Sequence, residues 1–395
     1  MYKLGFIAVL SLVLGACVTD GQDGAVGPAG PAGPAGADGS DGAAGQPGPE
    51  LALPGVYTLA NAAGPNQVAA YVRASDGNLS RKGRFDTAGM GLGAGVGSQG
   101  SLVFDAKSQR FFAVNAGDNT ISMLAIDADG NLAMLSKVAS GGIRPVSVAV
   151  HGNMVYVANQ GDVTATAVSA NISGFQIQGG NLVAIASSTR PLSGTTDVHP
   201  TDIAFSPDGK FLVVAERLAH KLDTFEVVNG VAQAGNFQAS AGMQPFAFDW
   251  SPEGFLVVAE VGTGAAGGSS VSSYSISQAG TLQPITSALA TAQSAACWLV
   301  TAGGYAYIAN AASATITGVN VSETGVLTLH DAGGMTATTG SGATDLAVSP
   351  DRGYLYSLSG SPRTIQAFEI HADGGLVGLA PLPGVAATAV GLAAR

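Results

Sequence analysis

The chain is short of charge: only 11% of its 395 residues are Asp, Glu, Lys or Arg, against 46% apolar. The balance is acidic, at a net −11, and no basic run exceeds "RKGR" at 81–84. A nucleic-acid or anionic-membrane surface needs a concentrated basic patch, so neither partner is expected. Small anionic ligands need only a few local cations and stay open. Cysteine is nearly absent, with Cys17 and Cys297 alone. The five histidines (His151, His199, His220, His330 and His371) are scattered, without the paired spacing of a metal site. No metal and no cofactor is expected. Beyond the N-terminus no stretch is long and apolar enough to span a bilayer.

The opening "MYKLGFIAVLSLVLGAC" has one early lysine, an apolar run from Leu4 to Leu14, and small residues before Cys17. It reads as a secretory signal over residues 1–16, too short for a spanning helix. Leu14-Gly15-Ala16-Cys17 resembles the bacterial lipoprotein box, which makes Cys17 the expected lipidation site and the lipid the expected membrane contact. Val18 after that cysteine resembles the pattern of outer-membrane sorting, so the expected location is the cell envelope, at the outer membrane or cell surface. With Cys17 lipidated, no intramolecular disulfide is possible. Cys297, in the apolar "SAACWLV", is expected to be a small buried hydrophobe.

From Gly21 to Gly48 glycine stands at every third position, ten G-X-Y triplets in a row. Only glycine fits the axis of a triple helix, so this spacing is collagen-like. Residues 17–50 therefore read either as a Gly/Ala/Pro tether or as a short triple-helical stalk that would make the protein a trimer. The tether is the favoured reading.

From Leu51 the composition turns to short β-rich runs. Second strands align as "VYTLAN" (56–61), "FFAVNA" (111–116), "VYVANQ" (155–160), "FLVVAE" (211–216 and 255–260), "YAYIAN" (305–310) and "YLYSLS" (354–359). Six have an apolar inner strand ahead of them, and most are followed by a third strand and a glycine turn such as "DADGNL" (127–132). The first repeat lacks an inner strand, and "VGLAA" at 390–394 supplies one. The fold expected over 51–395 is all-β, a seven-bladed propeller whose C-terminal strand closes the first blade.

In such a ring the ends of the second strands share a face with the starts of the inner strands. That face would gather Asn61, Asn115, Asn159, Glu216, Glu260, Asn310 and Ser359, with Arg144, His199, Thr201, Asp202, Phe246 and Asp345. Asparagine at a strand end also bonds neighbouring backbone, so a structural role competes for each amide. Carboxylates have less reason to stand where other blades use an amide, which singles out Glu216 and Glu260.

The seven repeats, the "SPD" turns at Ser206 and Ser349, the "SPEG" at Ser251, and the phrases "STRPLSG" and "ACW" together resemble the seven-bladed lactonase family, which includes phosphogluconolactonases and carboxymuconate-cyclising enzymes. The resemblance implies "HPH", "PRH" and "NEL" motifs at the site. The first falls on His199-Pro200-Thr201 and the second on Pro245-Phe246-Ala247. The third keeps only its glutamate, as Glu260. Opening a lactone develops negative charge on the acyl oxygen and moves a proton. Neither Thr201 nor Phe246 replaces the histidine or arginine implied there.

Two functions follow. The first is an envelope-anchored propeller that binds a small polar ligand or a protein partner at its channel mouth through Glu216, Glu260, Arg144, His199, Thr201, Asn159, Asn310, Phe246 and Asp345. The alternative is an extracytoplasmic lactonase with a rebuilt site, in which Glu260 acts as acid/base and His199 or Asp202 assists. Fold analogy alone supports a reaction weakly, so the binding reading leads.

Overall fold

The computed structural model describes residues 53–166, 169–194, 196–340 and 342–395. The signal segment, Cys17 and the G-X-Y stretch lie outside the described residues.

All regular structure among the described residues is β, in seven antiparallel sheets. Each is one blade, its strands in sequence order from the channel outward. The inner strands of blades two to seven are Leu102–Asp105, Pro145–His151, Pro200–Phe205, Pro245–Trp250, Ala296–Ala302 and Ala343–Val348. The first blade takes its inner strand from the other end of the chain: Val390–Ala394 pairs with Gly55–Leu59, placing Ala393 opposite Tyr57. Backbone bonds between Gly55 and Arg395, at 2.9 and 3.1 Å, finish the seam. The ring is thus closed by residues of the propeller itself, and Glu50–Arg395 forms one compact unit.

Second strands such as Phe211–Glu216 are buried along their whole length, because both faces of a blade pack on neighbours. That double burial explains their continuous apolar runs. Blades are clasped to one another through the glycine turns. Tyr57, Tyr156 and Tyr307 each donate a hydroxyl to a turn-glycine carbonyl of the next blade, Gly130, Gly230 and Gly374, at 2.9–3.2 Å. Thr224 and Ser273 do the same to Gly280 and Gly325 at 2.6 Å. In "DADGNL" Asp127 accepts from the backbone and side chain of Asn131, at 2.8 and 2.9 Å, and Gly130 sits at φ +80°. The turn is a hairpin whose carboxylate is used locally.

Candidate functional site

Before five consecutive inner strands the chain turns left-handed, at Arg144 (φ +57°), His199 (+52°), Gln244 (+57°), Ala295 (+55°) and Gly342 (+72°). The conformation costs a non-glycine residue roughly 1–2 kcal/mol. It recurs because each of these strands then bulges, its register slipping between Pro145 and Ser147, Pro200 and Asp202, Pro245 and Phe248, Ala296 and Trp298, and Ala343 and Asp345. The carbonyl of each left-handed residue accepts the N–H of the first residue past the second strand. The pairs are Arg144 with Gln160 (2.9 Å), His199 with Arg217 (3.1 Å), Gln244 with Val261 (3.0 Å), Ala295 with Ala311 (2.9 Å) and Gly342 with Gly360 (3.2 Å). These ten positions ring one mouth of the channel.

The third to fifth blades make that ring polar. Gln160 places its Nε2 2.9 Å from His199 Nδ1 and 3.3 Å from both oxygens of Asp197. A carboxylate accepts only, so Asp197 fixes the amide nitrogen in that direction. His199 Nδ1 is then the acceptor and the ring proton sits on Nε2. Burial lowers the imidazole pKa, with Asp197 opposing, while Arg217 and Arg144 add to the lowering. The neutral ring is therefore a hydrogen-bond donor at Nε2. Arg217 Nε donates to Gln244 Oε1 at 3.1 Å. Neither Arg144 nor Arg217 has an ion-pair partner among the described residues. Arg144 Nε and Gln160 Oε1 are buried without a protein partner.

Beneath this mouth the channel is plugged. The segment "GLGAGVGSQG" (91–100) leaves the first blade and crosses the axis. Ser98 Oγ donates to Val146 O at 2.7 Å, and Gln99 N to Thr201 O at 2.8 Å. On the far side Trp298 Nε1 donates to Ser98 O, and Leu299 N to Gln99 Oε1, both at 3.0 Å. A Cβ on Gly97 would stand 3.1 Å from His199 Nε2, so glycine lets the backbone approach that closely. Trp298 packs edge-on against Phe246, with centroids 5.1 Å apart, and both are buried with Cys297 under the plug. Burial pushes the Cys297 thiol up to about 12, against an opposing pull from Arg217.

The sequence-predicted residues divide into three places. Arg144 and His199 stand at the mouth. A second group is turned into the blades. Glu260 is fully buried and accepts from Gly242 N (2.7 Å) and the hydroxyls of Ser240 (3.2 Å), Ser270 (2.5 Å) and Ser272 (2.7 Å). Burial still raises its pKa, with those donors pulling it back. Glu216, equally buried, accepts from the N–H of Ser193 at 2.7 Å and from its hydroxyl. It lies near buried Asp223, whose pKa is raised by burial and by the glutamate. Asn159 bonds Ser140 and Asn171, and Asn310 bonds Thr315 and Thr317. Thr201 spends its hydroxyl on Phe246 O at 2.6 Å. Glu216, Glu260 and Asn159 latch the loop arriving from the preceding blade; none of this group faces the mouth.

Asp202 and Asp345 are on the other side of the plug. They line a cavity of about 480 Å³ bounded by Gln99, Gly100 and the far ends of the inner strands, with Asp249, His151 and Trp250. Each of these aspartates accepts a backbone N–H from the next inner strand: Asp202 from Phe248 (3.1 Å), Asp249 from Thr301 (2.8 Å), Asp345 from Leu392 (2.8 Å). They form a belt that stitches inner strands together. Burial pushes Asp202 up to about 7 and Asp345 well above the usual carboxylate range. Among the described residues no group of three His, Cys, Asp or Glu is placed to hold a metal.

The sequence pattern did not place Arg217 at the mouth, nor did it single out Gln160 or the plug. The available signal was the excess of glycine at 91–100, which no blade turn uses.

Residues 167–300, the stretch carrying His199 and Glu260, match the family described as Lactonase, 7-bladed beta-propeller. The chain resembles the lactonase propellers. A putative 6-phosphogluconolactonase from Bacteroides uniformis superposes with a TM-score of 0.68 at 20% identity, over 87% of this chain and 99% of its own. The periplasmic gluconolactonase of Pseudomonas aeruginosa superposes with a TM-score of 0.65 at 18% identity, over 87% and 99%. At these identities the likeness establishes the fold. No curated protein matches the chain.

Proposed function

We propose that this is an envelope-anchored binding propeller, held by lipid on Cys17 and the G-X-Y tether, whose mouth takes a small anion. One observation carries the reading: Arg144 and Arg217, neither of them ion-paired among the described residues, flank the neutral donor His199, whose own carboxylate neighbour Asp197 lies on its Nδ1 side, in a chain of net charge −11. Unpaired cations at a partly desolvated mouth favour a carboxylate or phosphate, held by charge-assisted hydrogen bonds.

The lactonase alternative draws on the gluconolactonases among the structural neighbours. It needs a group that accepts a proton beside the acyl carbon. His199 Nδ1 is engaged by Gln160, and Glu260 is enclosed by four donors inside its blade. Binding without turnover fits this geometry better.

The test is calorimetric titration of the propeller with gluconate, inorganic phosphate and octanoate, in the wild type and in Arg217→Gln. The expected result is saturable binding of at least one anion, weakened about tenfold or more in the variant, as loss of a charged hydrogen bond implies. Absence of binding by all three, or binding indifferent to the variant, overturns the reading.

A further inference from the structure

The mouth is two-sided in a way that selects among anions. Its polar residues, Arg144, Gln160, His199, Arg217 and Gln244, all belong to the third, fourth and fifth blades. At the equivalent bonded positions the fifth to seventh blades carry Val261, Ala295, Ala311, Gly342 and Gly360. None of these five offers a polar side chain. Val261, Ala295 and Ala311 pack directly on the buried cluster of Phe246, Cys297 and Trp298, so this half is continuous with the apolar interior. The polar half is also edged by apolar side chains turned outward: Ile143 beside Arg144, Leu218 beside Arg217, Met243 beside Gln244. They are 42%, 47% and 46% exposed. They stand on equivalent rungs, Ile143 and Met243 on the accepting side and Leu218 on the donating side: Gly161 N bonds Ile143 O at 2.9 Å, Leu218 N bonds Val198 O at 3.0 Å, and Gly262 N bonds Met243 O at 3.0 Å.

We propose that the ligand is an amphipathic monoanion, a carboxylate on an apolar chain, whose head sits between Arg144, His199 and Arg217 and whose body covers Val261, Ala295 and Ala311 and is flanked by exposed Leu218 and Met243. The proposal rests on the anion-binding reading above. A polyhydroxy acid would bring hydroxyls over Val261, Ala295, Ala311, Gly342 and Gly360, whose side chains give them no partner, so their lost hydration goes unreplaced there. An alkyl chain loses nothing there and shields apolar surface now facing water. Burial of about two methylenes is enough for roughly tenfold in affinity.

The same titration, with the propeller of residues 50–395 that closes its own ring, decides the matter. Octanoate should bind at least about tenfold tighter than gluconate at equal charge. A Leu218→Asn/Met243→Asn variant, altered only at exposed positions, should weaken octanoate several-fold and leave gluconate unchanged. Gluconate binding as tightly as octanoate overturns the amphipathic assignment and leaves the anion site standing. Failure of every anion to bind removes both. Sedimentation of the propeller with phosphatidylglycerol vesicles, without octanoate binding, would assign the apolar rim to a bilayer and also overturn the proposal.

Discussion

A carboxyl group inside a blade must be neutralised or surrounded by donors, and this chain does both. Glu260 is surrounded, with three hydroxyls and an amide N–H on its two oxygens. Asp202 has one N–H and one hydroxyl, and burial pushes it up to about 7. The sign of the consequence is fixed by linkage. Between about 4 and about 7 the unfolded chain has released this proton and the folded chain has kept it, so stability falls as pH rises through that window. The full effect of a shift from 3.8 to about 7 is on the order of 4 kcal/mol. Buried Asp345, raised well above the usual carboxylate range by burial and by the nearby Asp202 charge, acts in the same direction. Asp202→Asn should flatten the dependence: the urea midpoint of the wild type drops from pH 4.5 to 7.5, and that of the variant drops less. Equal slopes would show that Asp202 does not hold its proton in the fold.

At the scale of strands and turns, most of the architecture was legible. Apolar second strands, glycine hairpins and the missing first inner strand are local signals, and each corresponds to an observed element. The glycine turns have a second role that the pattern hid, since those at Gly130, Gly230, Gly280, Gly325 and Gly374 each receive a hydroxyl from the blade before. At Gly374, with φ +90°, a Cβ would lie 2.4 Å from the Tyr305 ring, and Gly374 O also accepts from Tyr307. Gly254, at φ +87°, has open space around the same position. Gly254→Ala should therefore cost only the left-handed penalty of about 1–2 kcal/mol. Gly374→Ala should cost roughly 1–3 kcal/mol more, through overpacking. Unfolding midpoints that fall equally in the two variants would contradict the clasp.

The site was less legible for a definable reason. A one-residue slip in a strand turns every later side chain to the opposite face, and each inner strand of the third to seventh blades slips at its start. Sequence alignment put Asp202, Thr201, Glu216, Glu260 and His199 on one face. The bulges and the buried second-strand ends distribute them among mouth, blade and far cavity. The plug escaped because a glycine-rich segment has no periodicity, and its partners Trp298 and Leu299 lie 200 residues away.

For the molecule as a whole, the ring is a frame that reuses its structural chemistry in several blades and departs from it at the mouth. The repeated features (turn clasps, strand-end latches, the aspartate belt) are spent on holding blades together, and Glu216 and Glu260 belong with them. The departures are Arg144, Gln160, His199, Arg217 and Gln244, confined to three neighbouring blades. On the proposed reading a propeller built this way holds an anion at its mouth, while among the described residues His199 Nδ1 is engaged by Gln160 and Glu260 by its four donors. The most direct measurement is pH-stat hydrolysis of glucono-lactone by the wild type and by Glu260→Gln. Both proteins should show only the buffer rate. Hydrolysis well above that rate in the wild type, lost in the variant, would contradict the binding reading.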